Sequence, residues 1–148
     1  MTFLNLLVIL YIFEHIVFCS EMSANQKTGK SILIVDDEAD ICTMMKKALA
    51  GDEYRVSTFT SPTLALEHLK QEPEKYDTVV TDVRMPAMSG FALARAVKSI
   101  NPRTKVVLMT AFEINPSEFE KVMPHSIIEG FLKKPVSVHN LKEMIVKI

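Results

Sequence analysis

From residue 31 onward, short apolar segments alternate with longer amphipathic segments along the chain. The short segments are rich in β-branched residues and predict five strands, which span 31–35, 54–59, 77–81, 105–110 and 127–132. The longer segments carry apolar residues at helical spacing and predict five helices, which span 38–51, 61–72, 89–100, 115–123 and 137–148. This alternation predicts a parallel sheet with helices on both faces, a doubly wound α/β fold.

Local signals support several of the helix boundaries. Ser61 followed by Pro62 is typical of a helix start, where a serine hydroxyl caps the first turn and proline is tolerated. Ser89 is likewise predicted to cap the third helix, and Gly51 suits the C-terminal end of the first.

Residues 3–19 form an apolar segment with only three polar side chains, and three interpretations of it are open. A signal peptide would have basic residues ahead of it, but none precedes Lys27. A membrane anchor of this length is at the short limit for a span, and Lys27 and Lys30 would favour a cytoplasmic body. In the third interpretation the working protein starts at Met22. The chain then divides into 1–21 (mis-assigned start or membrane anchor), 22–30 (polar lead-in) and 31–148 (one domain).

Composition limits the range of functions. Of the 148 residues, 48% are hydrophobic and 24% are charged, which fits a single globular domain. The net charge is −1 and no run of lysine or arginine exceeds a pair, so we expect no direct nucleic-acid partner. Cys42 lies in a helical pattern and is predicted to be a core residue. The last predicted helix reaches the end of the chain, so we expect no attached output domain.

Polar residues follow four of the predicted strands at the point where each strand ends. Asp36 and Asp37 follow the first strand, Asp82 the third, Thr110 ends the fourth, and Lys134 follows the fifth. The carboxyl ends of parallel strands meet at one edge of the sheet, so these side chains are expected to converge. Taken singly, each could merely cap a helix or a turn, but the four strand ends together indicate a chemical site.

The chemistry that fits this set is phosphoryl transfer to a carboxylate. Adjacent aspartates repel each other, and a hard cation such as Mg²⁺ with oxygen ligands would offset that repulsion. One carboxylate could then attack phosphorus and become an aspartyl phosphate. A lysine supplies a point charge and a threonine hydroxyl a hydrogen bond for the phosphoryl oxygens.

The segments ILIVDDE, TDVRMPAMSG, VVLMTA and GFLKKP resemble the motifs of a receiver domain of a two-component response regulator. The resemblance covers about residues 30–148 and is closest to the stand-alone, chemotaxis type. It implies a flavodoxin-like sheet with the strand order 2-1-3-4-5. It also implies a phosphoacceptor in a phosphorelay, with Mg²⁺ as the cofactor.

The resemblance assigns roles to individual residues. Asp82 would be the phosphoacceptor and one ligand of Mg²⁺. Asp37 would bind the ion directly, Asp36 would help to hold it through water, and the backbone carbonyl of Arg84 would be a further ligand. The Arg84 side chain lies at a position that tunes hydrolysis in the family.

Three more residues receive roles in the same way. Thr110 would contact the phosphoryl group and move toward it. Lys134, which directly precedes Pro135, matches the lysine of the family. Phe131 lies where the family has an aromatic residue that changes rotamer on activation, and Thr110 and Phe131 would form the switch.

The resemblance also implies partners. The phosphodonor would be the phosphohistidine of a histidine kinase or a phosphotransfer protein, and the reaction would be self-catalysed, so the protein would not be an enzyme. A face built from the predicted fourth helix, fifth strand and fifth helix would contact a downstream effector protein. The protein would be cytoplasmic, with a membrane contact only if residues 3–19 are retained as an anchor.

Two other classes of function remain open at this point. A Mg²⁺-dependent phosphohydrolase with an aspartate nucleophile usually carries D-x-D after the first strand, whereas this chain has Asp36, Asp37 and Glu38 in succession. A receiver-shaped interaction module without phosphorylation is the other class, although every chemical residue is present.

Overall fold

The structure is a computed structural model that describes residues 29–51, 53–112 and 127–148. Its strands are β1 (Ser31–Val35), β2 (Arg55–Phe59), β3 (Thr78–Asp82), β4 (Lys105–Thr110) and β5 (Gly130–Lys133). Its helices are α1 (Ala39–Leu49), α2 (Pro62–Gln71), α3 (Gly90–Ile100) and α4 (Val138–Lys147).

Two predicted segments lie outside the described residues: the apolar stretch 3–19 and the helix 115–123. Within the described part of the chain, no helix combines the length and the apolar character that a bilayer span requires.

The five strands form one parallel sheet in the order β2-β1-β3-β4-β5, which confirms the predicted fold class and strand order. A hydrophobic core lies on each face of the sheet. Leu33 and Val35 of β1 face the core under α2 and α3, whereas Ile32 and Ile34 face the core under α1 and α4. β1 is therefore buried on both sides, which explains why it appears in the sequence as a continuous apolar run.

The predicted helix caps are present. The hydroxyl of Ser61 accepts a hydrogen bond from the Leu64 backbone N–H, and the hydroxyl of Ser89 accepts one from Ala92. Gly51 lies just beyond the end of α1 with φ of +87°, the left-handed conformation that glycine adopts without a steric penalty.

The boundaries of β5 differ from the prediction, because the strand covers Gly130–Lys133 and not 127–132. Ile127 and Ile128 pack into the core before the strand begins. The backbone N–H of Val106, on the neighbouring strand, donates to the Glu129 carboxylate. The Glu129 side chain thus pairs with the Val106 N–H, which a backbone carbonyl would accept from if β5 were longer.

Candidate functional site

Three carboxylates meet at the carboxyl end of the sheet. Asp36 and Asp37 follow β1, Asp82 ends β3, and these two strands are neighbours in the sheet. One oxygen from each of the three side chains lies within 4.8 Å of the others. The structure therefore brings together the three acids that the sequence predicts to converge.

Lys134, which directly follows β5, places its ammonium group among these acids. Its Nζ lies 2.8 Å from Asp36 Oδ2 and 3.2 Å from Asp82 Oδ1. Glu38 is a more distant neighbour at 3.9 Å. One lysine faces a larger number of negative charges, so the cluster keeps an excess of negative charge.

The two adjacent aspartates have different surroundings. Asp36 is fully buried, and both of its oxygens are engaged, Oδ1 by the Glu38 backbone N–H at 2.9 Å and Oδ2 by Lys134. Asp37 is exposed to solvent. Asp37 is thus open to an incoming ion, whereas Asp36 already serves the protein's own hydrogen bonds.

Burial and neighbouring charges shift the pKa of both Asp82 and Lys134. Burial raises the pKa of Asp82 above its ordinary value; the Lys134 charge opposes the rise and the Asp36 charge adds to it. Burial also opposes the charge on Lys134, but its contacts with Asp36 and Asp82 outweigh that effect, and the pKa of Lys134 is raised. Lys134 therefore stays charged, and it offsets only part of the charge of the acids.

The donor chemistry of this cluster fits Mg²⁺. The ion prefers oxygen ligands and binds through one or two carboxylates while it keeps several waters. Asp37 and Asp82 offer such oxygens, with Asp36 behind them. Arg84 lies two residues after Asp82 in the loop that leaves β3, where its carbonyl is the predicted fourth donor.

Thr110 ends β4 and is buried beside the acids. Its Oγ1 accepts a hydrogen bond from the Phe112 backbone N–H at 3.1 Å, and its carbonyl accepts one from the Lys134 backbone N–H at 2.8 Å. The hydroxyl can still donate its own proton. Thr110 therefore caps a turn in this structure and remains available as a donor to a phosphoryl oxygen.

The loop between Asp82 and α3 is held tightly. The Gly90 backbone N–H donates to the Val83 carbonyl at 2.9 Å, and a Cβ on Gly90 would lie only 2.1 Å from the Asp82 carbonyl oxygen. Ala87 has φ of +67°, and the Met88 N–H donates across it to the Pro86 carbonyl at 2.8 Å. This tight turn, with a strained central residue, fixes the path of the chain beside the acids.

The sequence did not single out Phe112. The Arg84 guanidinium lies over the Phe112 ring, 4.1 Å from its centroid. Arg84 is two residues past Asp82 and Phe112 is two residues past Thr110, so the pair joins the two loops that border the acids. Two exposed side chains on separate loops leave no periodic signal that would have predicted this contact.

Phe131 lies apart from the acidic cluster. It is half-buried in β5 and packs against the core under α2 and α3. The structure therefore brings oxygens of Asp36, Asp37 and Asp82 within 4.8 Å of one another and places Lys134 against Asp36 and Asp82. Thr110 ends the neighbouring strand β4, and Phe131 packs against the core under α2 and α3.

Comparison with known proteins gives the family. The profile of the response regulator receiver domain matches residues 32–146. The chain belongs to this family. The receiver domain is 33% identical over 116 residues to the transcriptional regulatory protein ZraR of Escherichia coli (strain K12), a match that covers 78% of this chain and 25% of ZraR. It thus spans about a quarter of the length of the first curated relatives that it matches.

Two other relatives are closer in size to the receiver domain. The response regulator receiver protein CpdR of Brucella abortus (strain 2308) is 36% identical over 83 residues, which are 56% of this chain and 68% of CpdR. The chemotaxis response regulator CheY4 of Vibrio cholerae superimposes with a TM-score of 0.70 at 29% identity, covering 81% of this chain and 98% of CheY4. As a receiver domain, the chain belongs to the response regulators of two-component signalling.

Proposed function

We propose that Asp82 is the phosphoacceptor and that phosphorylation requires Mg²⁺. The observation that carries this proposal is the convergence of Asp36, Asp37 and Asp82 around Lys134 at the carboxyl end of the sheet. Asp36 and Asp82 are buried and share the charge of Lys134, so a bound cation or a retained proton would stabilise the set.

Asp37, Asp82 and the Arg84 carbonyl would hold Mg²⁺, with Asp36 supporting it indirectly. The ion, when bound, would neutralise the acids and the oxygens of an incoming phosphoryl group. Both oxygens of Asp36 already accept hydrogen bonds, from the Glu38 N–H and from Lys134, so we assign Asp36 an indirect contact with the ion. Its role is therefore to orient Lys134 and to maintain the negative potential of the site.

The reaction would transfer a phosphoryl group from a phosphohistidine of a kinase or phosphotransfer protein. An Asp82 carboxylate oxygen attacks phosphorus, the P–N bond to the imidazole breaks, and its electron pair stays on the nitrogen, which takes up a proton. Lys134 is close enough to Asp82 to contact the oxygens of the bound phosphoryl group. The Thr110 hydroxyl would donate to another of these oxygens.

Phosphorylation would add a charge of about −1.5 to −2 beside Thr110. Thr110 would shift toward the phosphoryl group, and Phe131 would change its rotamer on the face formed by β5, α4 and the helix predicted at 115–123. That face would contact a downstream effector protein. The Arg84–Phe112 pair joins the two loops that border the acids, where it would limit access of water to the phosphorylated Asp82.

We further propose that the protein is a self-phosphorylating acceptor and not an enzyme with a separate substrate, that its output passes through protein contacts, and that it acts in the cytoplasm, where the phosphodonors of kinases are made. A phosphohydrolase with an aspartate nucleophile usually carries D-x-D after the first strand. β1 is followed instead by Asp36, Asp37 and Glu38, which disfavours that alternative.

The test is mass spectrometry of the full chain after incubation with a small-molecule phosphodonor, with and without Mg²⁺. We expect a gain of one phosphoryl group that requires Mg²⁺ and disappears in Asp82→Asn. The control is Asp77→Asn, which makes the same change at the other end of the sheet. Incorporation that persists in Asp82→Asn, or that does not depend on Mg²⁺, would contradict the proposal.

A further inference from the structure

Glu129, immediately before β5, makes three contacts that join β5 to β4 and α3. Its backbone N–H donates to the Val106 carbonyl at 2.8 Å, and its Oε2 accepts from the Val106 N–H at 2.5 Å. Its Oε1 lies 2.6 Å from the ammonium group of Lys98 in α3, which also donates to the Thr104 carbonyl at 2.7 Å. Glu129 thus connects the start of β5 to β4 and to the C-terminal part of α3.

These contacts are shielded from solvent. The Lys98 and Glu129 side chains are only 12% and 20% exposed. If either partner is removed, the other charge is left largely desolvated, and the loss of Glu129 also leaves the Val106 N–H without its acceptor. β5 pairs with β4 alone in the described sheet and has four residues, so few other contacts fix its start.

The other end of α3 adjoins the phosphoacceptor. Gly90, its first residue, packs against the Asp82 carbonyl so closely that no Cβ fits between them. Lys98 lies eight residues further along, about 12 Å along the helix axis. α3 therefore links the Asp82 loop to Glu129 through one rigid element.

β5 carries this link to two residues of the site. Phe131 follows Glu129 by two positions and so points to the same layer of the sheet, where it packs against the core. At the far end of the strand, the Lys134 backbone N–H donates to the Thr110 carbonyl, and its side chain reaches Asp36 and Asp82. The Glu129 contacts hold the start of β5, and the Lys134 contacts hold its end.

We propose that Lys98 and Glu129 are positioning residues, which fix β5 so that Lys134 meets Asp82 and which couple the Asp82 loop to Phe131 through α3. This inference rests on the proposed function of Asp82 and Lys134. It adds a second connection between the acceptor and the β5 face, separate from the one through Thr110.

The experiment measures the binding of beryllofluoride, a mimic of the phosphoryl group, to the full chain in the presence of Mg²⁺ by ¹⁹F NMR. We expect Glu129→Gln and Lys98→Gln each to weaken the affinity for the mimic about fivefold. The double variant should be no weaker than the single ones, because the two side chains act as one unit. Lys98→Arg keeps the charge and should bind the mimic with the affinity of the wild type. In the two Gln variants, the Phe131 amide resonance should already be shifted before the mimic is added.

Matched controls come from the exposed pair Arg103–Glu74, whose Nη2 and Oε1 atoms are 2.8 Å apart at the same end of the sheet. Glu74→Gln and Arg103→Gln should bind the mimic within twofold of the wild type. Lys98→Gln leaves the Glu129–Val106 bond in place, so it serves as the test if Glu129→Gln does not fold.

The outcomes separate the two proposals. If the wild type does not bind beryllofluoride with Mg²⁺, the proposed function fails, and the inference fails with it. If the wild type binds, while Glu129→Gln and Lys98→Gln lose resistance to urea yet bind the mimic within twofold of the wild type, the pair is only structural and the inference alone is overturned.

Discussion

The two ends of the parallel sheet both carry charged and hydroxyl side chains, but they satisfy them differently. At the amino end, Asp77 Oδ2 accepts from the Ser31 N–H at 2.8 Å, and the Thr104 hydroxyl donates to the Tyr76 carbonyl at 3.0 Å. The ion pairs Lys98–Glu129 and Arg103–Glu74 also lie there. Each of these groups has a partner supplied by the chain itself.

At the carboxyl end the charges do not cancel. Lys134 lies against Asp36 and Asp82, and no described ion pair includes the third acid, Asp37. Hydrogen bonds do not distinguish the two ends, because no buried side-chain nitrogen or oxygen of the described residues lacks a partner. The difference between the ends is one of net charge, which a cation from solution can correct.

The amino end also carries a cleft, and charged residues that line it are paired. A cleft of about 1310 Å³ opens at the amino end, and Asp77, Arg103 and Glu74 line it. Those side chains already have partners within the protein. The charge imbalance at the other end, and not this cleft, is the feature from which the site is proposed.

The largest expected effect is the loss of Lys134, the cation that contacts Asp36 and Asp82 at the carboxyl end. Lys134→Gln leaves Asp36 fully buried without its counter-charge, so we expect the free energy of unfolding in urea to fall by about 3 kcal/mol without Mg²⁺. Arg103→Gln, at the other end, should cost under about 1 kcal/mol because its pair is exposed. Equal losses in the two variants would show that the ends do not differ in this way.

A second prediction concerns the ion itself. Asp37→Asn should weaken Mg²⁺ binding by more than about tenfold in calorimetric titration, since a directly bound carboxylate matters at least as much as an indirect contact. Asp77→Asn is the matched control, and it should leave Mg²⁺ affinity unchanged. Loss of binding in both variants would mean that the amino end, or the overall fold, controls the affinity.

A third prediction uses the pH dependence of stability without Mg²⁺. The pKa of Asp82 is raised from 3.8, so the folded protein holds this proton more tightly than the unfolded chain. Its carboxylate therefore destabilises the fold increasingly as the pH rises through 3.8 to the folded-state pKa. Asp82→Asn should be more stable than the wild type at neutral pH, and the difference should vanish below pH 3.8. A difference that grows toward acid pH would contradict this sign.

The smallest expected effect concerns the loop after Asp82. Ala87→Gly should relieve the strain of a φ of +67°, and the greater freedom of glycine in the unfolded chain offsets part of the gain. We expect a net stabilisation of up to about 1 kcal/mol in urea unfolding. Ala92→Gly, on the exposed side of α3, should instead destabilise by about 1 kcal/mol. A loss of stability in Ala87→Gly would show that the turn is not strained.

Much of the fold could be predicted because its signals are local. β4 spans Lys105–Thr110, the same bounds as the strand predicted there, and Ser61 and Ser89 cap helices as their positions indicate. The candidate site could be predicted for a related reason. Once the strands are parallel, Asp36, Asp82 and Lys134 must leave the sheet at the same edge, whatever the details of packing.

The start of β5 and the Arg84–Phe112 contact could not be predicted in this way. The prediction places Glu129 inside a strand at 127–132. In the structure Glu129 precedes β5, and its side chain contacts Val106 and Lys98. Phe112 is a single aromatic residue after a strand, and its packing against Arg84 depends on the path of a different loop.

Element types, helix caps and the residues that bear the chemistry follow from the order of the amino acids, because they depend on side-chain periodicity and on hydrogen bonds between near neighbours. The charge balance of the site does not follow from that order. Lys134 is 98 positions from Asp36, and its distances of 2.8 and 3.2 Å to Asp36 and Asp82 exist only when β1, β3 and β5 are in register in the same sheet. Coulomb energy and burial depend on distance in space, so only the tertiary structure decided which acids the lysine neutralises and which are left for an ion.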